Sequence, residues 1–387
     1  MAHLAIIDIG STSVGGALVK ELPAATGESA TSDFCERLIF TTREETSFPA
    51  KLDAARYLDK MTDLLKQSVQ KLQSANHGAP AKIIAFLSAP FYATRIETLR
   101  KEATTPFTVT PRLLRELAEQ EIGAWQKSSP HLFGAESVSQ HEILENRALQ
   151  VTLNGYLMDN PYGQKVNELA LVHYLSLAAA PVLNRFREVL TGAWHRSDIE
   201  FHSFAYAFYR AWEQARPGED CLVLDLGGEI AEVSLICRSA LAQTFSFPRG
   251  RNWLVRRLVK EFGTTPTEAV AMLKLHLAGQ AERAASKKIE AALGTAKAEW
   301  LTAWRAAVDK MLNRSLLPRS AFVLAEPVFA ELWRRWLAEE TFDNLAAGGQ
   351  KAPFQLLTEA IFNPFCVHQK NVIHDLTLLI EAISCYP

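Results

Sequence analysis

The sequence predicts an α/β protein of two similar domains facing each other across a cleft, with an α+β segment inserted in the first. Three observations predict it. Short apolar strands alternate with amphipathic helices along most of the chain. One strand–turn–strand plan occurs twice, as AIIDIGSTSVGGALV at 5–19 and as LVLDLGGEIAEVSLI at 222–236. Between the two, residues 91–164 lose that rhythm and read as polar β segments around one helix.

The N-terminal MAHLAIIDIG has no basic segment ahead of its apolar stretch and meets an acid at Asp8, so it reads as a strand and not as a signal peptide. SVGGALV is the returning strand, in which Gly15 and Gly16 allow close backbone packing. A strand over 37–40, a helix from about 52 to 73 and a strand over 82–88 follow. Together with 165–215 they give a first domain of 1–90 plus 165–215. The insert, 91–164, holds a helix over 111–125 and the turn-rich loop QKSSPHLFGAESVSQ. An apolar strand at 169–177 and helices over 181–193 and 206–215 return to the first domain. CLVLDL at 221–226 opens the second domain, 216–387, with a helical part at about 249–316. Its alanine-rich helix at 281–312 carries Ile289, Leu293, Ala296, Trp300, Trp304, Ala307 and Met311 at helical spacing, a core stripe. Of Trp333 and Trp336 on the next helix, one is expected in the core and the other is a candidate for partner contact.

The chain has 387 residues, 48% hydrophobic and 22% charged, with a net charge of −2 and a pI near 6.6, the profile of a soluble globular protein. Balanced charge gives no reason to expect nucleic-acid binding, and Arg249, Arg251, Arg256, Arg257 and Lys260 read as the wet face of one helix. Five scattered cysteines, Cys35, Cys221, Cys237, Cys366 and Cys385, form no Cys-x-x-Cys pair, which fits a reducing compartment. The most apolar stretch, 169–183, is interrupted by His173, Tyr174 and Pro181, too soon for a membrane span. A cytoplasmic address follows. The ten histidines show no metal-ligand spacing, and there is no Walker loop, nucleophile elbow or dinucleotide fingerprint.

The repeated hairpin is the candidate site. In each copy a glycine lets the backbone turn tightly and present N–H groups to an anion, while an aspartate at the strand end could hold a hydrated divalent cation. Two facing hairpins would clamp a triphosphate. The candidate phosphate residues are Asp8, Gly10, Ser11, Thr12 and Ser13 in the first copy and Asp225, Gly227 and Gly228 in the second, with Asp8 and Asp225 as metal ligands through water.

These residues look like the actin-like ATPase superfamily, whose two-domain fold is ribonuclease H-like, and more narrowly like its FtsA and PilM members of bacterial cell division and type IV pilus assembly. SFAYAFYRAW at 203–212 is similar to the family's connecting helix. FPRGRNWLVRRLVKEFG at 247–263 resembles the segment in which a glycine, here Gly250, opens a helix. EAVAMLK, ending at Lys274, is similar to the Ala-Glu-x-x-Lys helix near the nucleotide. NGYLMDNPYG at 154–163 resembles the Asn-Pro-x-Gly turn closing the inserted subdomain of FtsA and PilM. The resemblance implies ATP or ADP with magnesium, held by the hairpins, Gly250 and Lys274.

Departures from the family pattern imply a degenerate site. Glu229, Ile230 and Ala231 stand where the second hairpin usually continues with glycine and two hydroxyl residues. A Glu229 carboxylate facing phosphates at about 4 Å would cost up to about 4 kcal/mol, roughly a thousandfold in affinity. Ala325, Glu326 and Pro327 replace the glycines of the adenosine motif, and Ala271 replaces the ribose-binding glutamate. Little chain between Lys274 and Ala325 is left for a β-rich fourth subdomain, so a reduced one is expected. The segment NVIHDLTLLIEAISCYP has no lysine or arginine for lipid headgroups and is expected to pack on the body, with no direct membrane insertion. The implied function is a cytoplasmic scaffold or adaptor. It would dock a peptide of a membrane-bound division or pilus component, be recruited by it to the inner face of the membrane, and could form a homo-oligomer. The alternative is an active ATP-dependent enzyme, an ATPase or small-molecule kinase, for which no catalytic carboxylate beyond Asp8 and Asp225 stands out.

Overall fold

The computed structural model describes residues 3–21, 36–46, 54–128, 132–135, 137, 140–312, 318–340, 354–370 and 372–386. Cys35 and the start expected for the first helix lie outside them. β1 (His3–Ile9), β2 (Ser13–Glu21) and β3 (Glu36–Glu45) form an antiparallel meander. α1 (Ala54–Ser74) follows, and β4 (Lys82–Leu87) lies parallel to β1. α1 buries Met61, Leu65, Val69 and Leu72 against this sheet. It approaches closely because Gly16 has no side chain: a Cβ there would stand 2.8 Å from both Leu72 Cδ1 and Ser68 Oγ.

The insert is a four-stranded sheet and one helix: β5 (Tyr92–Thr108), α2 (Pro111–Lys127), β6 (His141–Leu153), β7 (Tyr156–Leu157) and β8 (Lys165–Ala179), in the order β5-β8-β6-β7. Thr110 caps α2 by accepting from the Leu113 amide at 3.1 Å, with Pro111 in the first turn. The sequence reading ended the insert at 164. Instead β8 is the central strand of the inserted sheet, paired with β5 and β6 along its length. Its first half, Val166, Leu169 and Leu171, fills the insert's own small core, while Tyr174, Leu175, Leu177, Ala178 and Ala179 enter the main core. A continuous apolar run suits a strand buried twice over, and such a run does not disclose where one core gives way to the next.

α3 (Ala180–Trp194), β9 (Ile199–Ser203) and α4 (Phe204–Ala215) complete this half, with β9 parallel to β4. The second half repeats the plan. β10 (Cys221–Leu226), β11 (Ala231–Cys237) and β12 (Ala240–Phe247) form a meander. Helices α5 (Arg251–Phe262), α6 (Pro266–Leu277) and α7 (Arg283–Leu312) follow. β13 (Ala321–Leu324) then lies parallel to β10 and, after α8 (Pro327–Ala338), β14 (Phe354–Leu356) lies parallel to β13. The order β12-β11-β10-β13-β14 matches β3-β2-β1-β4-β9 strand for strand. Among the described residues the stretch from 274 to 320 contributes only helix, as the reduced fourth subdomain requires.

All seven residues of the α7 stripe are buried. Trp300 stacks on Trp304 with ring centroids 5.7 Å apart and meets Trp333 edge-on at 5.9 Å. The expectation that one tryptophan of α8 faces a partner does not hold: Trp333 and Trp336 are both buried, because α8 turns the two against α7.

The chain then leaves the second sheet. β15 (Cys366–His368) adds to the edge of the first sheet beside β3, and α9 (Leu376–Ser384) packs against α4 and β1. Leu378, Leu379, Ile380, Ala382 and Ile383 of α9 are buried in the first core. The second domain therefore does not run to 387. Apolar periodicity marks α9 as a packed helix, as expected, without saying which of two cores receives it.

Candidate functional site

The tips of the two hairpins and the return crossing enclose a cleft of about 490 Å³ between the sheets. Asp8, Gly10, Ser11, Thr12, Ser13, Asp225, Gly227 and Gly228 all line it. The two remaining candidates do not. Gly250 lies behind the second hairpin, where a Cβ would stand 2.5 Å from the carbonyl oxygens of Gly227 and Gly228. Lys274 is half exposed at the rim, 3.8 Å from Glu326.

The hairpin tips touch. Ser11 Oγ accepts from the Glu229 amide at 2.9 Å. A Cβ on Gly228 would collide with the Thr12 side chain, so only glycine lets the second turn come this close. Tyr57 braces the first turn from α1, its hydroxyl donating to the Ser11 carbonyl at 2.6 Å. Behind the second turn, the amides of Arg251 and Asn252 at the start of α5 donate to the carbonyls of Gly227 and Gly228 at 3.0 and 2.8 Å.

Asp8 is not open to the cleft alone. Arg43 of β3 donates to its Oδ2 at 2.7 Å, to Ser13 Oγ at 3.0 Å, and through Nε and Nη2 to Asp375 at 2.6 and 3.1 Å. Burial works against the guanidinium charge, but Asp375 and Asp8 outweigh it and hold Arg43 cationic. Burial likewise opposes the Asp375 charge, and Arg43 holds that carboxyl below its usual range. On its other side Asp8 meets Glu381 of α9, and neither its Oδ1 nor either Glu381 oxygen has a protein N–H to accept. Burial lifts Glu381 well above the carboxylate range and Asp8 adds to the lift, which favours its protonated form beside Asp8.

Two further acids sit on the second hairpin, where Asp225 pairs with Glu232 across the strands. Burial lifts Asp225 well above its ordinary value, with repulsion from Glu232 and Asp8 adding to the effect. Burial pushes Glu232 up to about 7, even though the Tyr92 hydroxyl donates to it at 2.6 Å.

Glu229, read from sequence as a phosphate-repelling group, turns away. Arg256 of α5 grips it with two bonds of 2.8 and 2.7 Å and Asn252 adds a third at 3.2 Å. The basic cluster of α5 is accordingly no wet face. Arg256 serves Glu229, Arg257 pairs with Glu299, and Arg251 bridges Glu326 at 2.7 Å and Glu45 at 3.1 Å across the cleft mouth. A fork that carries two carboxylates suits arginine better than lysine.

Sequence reasoning missed Arg43, Glu232, Glu381 and Asp375. One signal for Arg43 was present: Gly15 faces it across β2 and β3, and a Cβ on Gly15 would lie 2.8 Å from its Nη2. The glycine inside the strand makes room for a guanidinium. Sequence spacing also hid a cluster of Glu359, His368 and His374, brought together only by the return crossing, of which Glu359 and His374 line the cleft itself.

The architecture is similar to a solved PilM–PilN type IV pilus biogenesis complex, at 12% identity over 98% of both chains and a TM-score of 0.63. The ethanolamine utilization protein EutJ from Carboxydothermus hydrogenoformans aligns at 11% identity over 92% of this chain and 85% of that one, with a TM-score of 0.42. No family model and no curated protein matches the sequence. The fold is the actin-like one, of the PilM kind. Among the described residues no helix is long and apolar enough to cross a membrane.

Proposed function

We propose that the chain is an actin-like scaffold whose nucleotide cleft is bridged by its own side chains, and that its inserted sheet docks a short segment of a membrane-bound component. The observation that carries the reading is the Arg43 clamp. A guanidinium 2.7 Å from Asp8 takes one oxygen of the carboxylate on which a magnesium-bound water would depend and supplies the positive charge there. A magnesium triphosphate fits this cleft poorly for two further reasons. The Glu229 amide already donates to Ser11. The amides at the start of α5, a natural anion site, are used by the carbonyls of Gly227 and Gly228. The turn-lined tip of the insert exposes Tyr156, Leu157 and Tyr162, at 76%, 57% and 50%, an apolar surface suited to a protein partner.

The pairing of PilM with PilN in the similar structure favours a pilus component over a division component as that partner, and with it a cytoplasmic chain recruited to the inner face of the membrane. Calorimetry with ATP and ADP in magnesium tests the cleft. The expected result is no binding tighter than about 1 mM. Micromolar binding that disappears in Asp8→Ala overturns it. Pull-down from solubilised membranes tests the docking. A pilus or division component should be recovered by the wild type and not by a Tyr156→Ser, Leu157→Ser variant. Equal recovery by both removes the insert from the argument.

A second reading, an ATP-dependent enzyme on the same fold, is favoured by Glu232, a buried carboxyl at about 7 in the cleft and so a candidate general acid or base. Steady ATP turnover by the wild type, lost in Glu232→Gln, would establish it.

A further inference from the structure

The return crossing that carries the chain from the second sheet to the first assembles metal-ligating side chains that play no part in the function proposed above. Glu359 lies in a short 3-10 turn, Glu359–Ile361, just after β14. His368 ends β15, and His374 stands in the segment leading into α9. One ligating atom from each lies within 4.8 Å of the other two. His374 Nδ1 is 2.6 Å from Glu359 Oε2, and the two imidazoles stack with ring centroids 4.1 Å apart and planes 20° from parallel. The His368 Nε2 atom is buried and has no protein hydrogen-bond partner.

Two of these features are awkward for the bare protein. A buried ring nitrogen without a partner loses its hydration for nothing. Two stacked imidazoles cannot both be charged without repulsion at close range. A metal ion removes both difficulties, because it takes a lone pair from each ring and keeps the rings neutral. Two imidazoles and one carboxylate are a zinc-type donor set, while magnesium and calcium prefer oxygen alone. Tetrahedral zinc sets its ligand atoms about 3.3 Å apart, close to the spacing here, and binding turns the two rings out of their stack so that both lone pairs meet the ion. His374 is 63% exposed, which leaves an entry path and an outer position for water.

We propose that Glu359, His368 and His374 bind one divalent transition-metal ion of the zinc class at the wall of the cleft, and that the ion fastens the return crossing there. The proposal stands independently of nucleotide or partner binding. β15 is secured to β3 by a register of only Cys366 to His368, and the residue after His374 is Asp375, the anchor of Arg43. An ion here would tie the chain leaving the second sheet to the edge strand of the first and steady the Arg43 clamp from outside.

The full chain, freed of metal by chelator and dialysed, is titrated with zinc chloride against a chromogenic zinc indicator, with cobalt as a visible-spectrum probe of coordination. One equivalent should bind with a Kd of about 1 µM or tighter. Affinity should fall at least about a hundredfold in His368→Ala and in His374→Ala, since even outer-shell losses cost tenfold to a hundredfold, and should be unchanged in His77→Ala. His374→Ala removes an exposed side chain and leaves the core intact, so its result is readable even if His368→Ala unfolds. At a hundredfold excess over Kd, zinc should raise Tm by about 3 °C. Affinity weaker than about 100 µM, or affinity untouched by His374→Ala, overturns the proposal.

Discussion

Replacing Glu232 by Gln isolates the electrostatic cost of the cleft floor. Burial holds the Glu232 carboxyl at about 7 in the folded chain against 4.5 when exposed. Its folded value is raised, so between those limits the unfolded chain ionises and the folded chain does not, and stability falls as pH rises from about 4.5 to 7 and is level above. At 1.36 kcal/mol per pH unit, the loss amounts to about 3 kcal/mol. Gln keeps the shape and accepts from the Tyr92 hydroxyl as Glu232 does, but it cannot ionise. Urea denaturation of wild type and variant at a series of pH values should therefore show the difference growing by about 3 kcal/mol in the variant's favour between pH 4.5 and 7.5. With about 2.1 cal/mol/K of unfolding entropy per residue over 387 residues, the same difference raises Tm by about 4 °C at pH 7.5. Asp225, which faces Glu232 and is lifted partly by it, titrates lower in the variant and adds to the gain. Parallel pH profiles for the two proteins would refute the reasoning, because they would mean that Glu232 is ionised and solvated in the folded chain at neutral pH.

Arg43→Met strands Asp8 and Asp375 without their cation and should destabilise the chain by about 3–5 kcal/mol, read by denaturant unfolding; adding Asp8→Asn and Asp375→Asn should recover most of it. Gly228→Ala forces a methyl into Thr12 at the touching hairpin tips and should cost about 1–3 kcal/mol by the same measurement. Trp300→Ala empties the centre of the tryptophan cluster between α7 and α8 and should lower stability by about 3–5 kcal/mol, with loss of near-ultraviolet circular dichroism.

The parts of the fold that the sequence made legible are those whose cause is local. Asp-x-Gly between two apolar strands dictates a hairpin wherever it stands, so its recurrence at Asp8 and Asp225 disclosed the paired sheets. The α7 stripe is set by helical period alone, and every member of it is buried. What stayed hidden is set by partners distant in sequence. Glu229 carried a charge that looked hostile to phosphate, but its meaning depends on Arg256, in the second turn of the helix that Gly250 opens, reaching back to it. β8 and α9 are apolar enough to be core, and periodicity says nothing about which core. Glu381 reads as the polar break in an apolar helix, whereas it is fully buried against Asp8. The glycine pair in β2 was the exception: its small size was visible, and only the long side chain of Arg43 lying over Gly15 was not.

An actin-like frame needs something to fix the angle between its two sheets. A nucleotide with its metal can do so, bringing negative phosphates to the hairpin amides and a cation to the aspartates. In the scaffold reading, both kinds of charge come from the chain. Arg43 supplies the cation to Asp8 and is itself held by Asp375, a residue of the return crossing. Carbonyls of Gly227 and Gly228 take the α5 amides, and Ser11 takes the amide of Glu229. Arg251 then straps Glu45 on the first half to Glu326 on the second. Because every one of these contacts is intramolecular, the angle between the halves is in that reading independent of ligand concentration and of turnover. A surface that must present one shape to a membrane-bound partner gains from that independence, whereas a hydrolytic cycle would lose the opening that its product needs to leave.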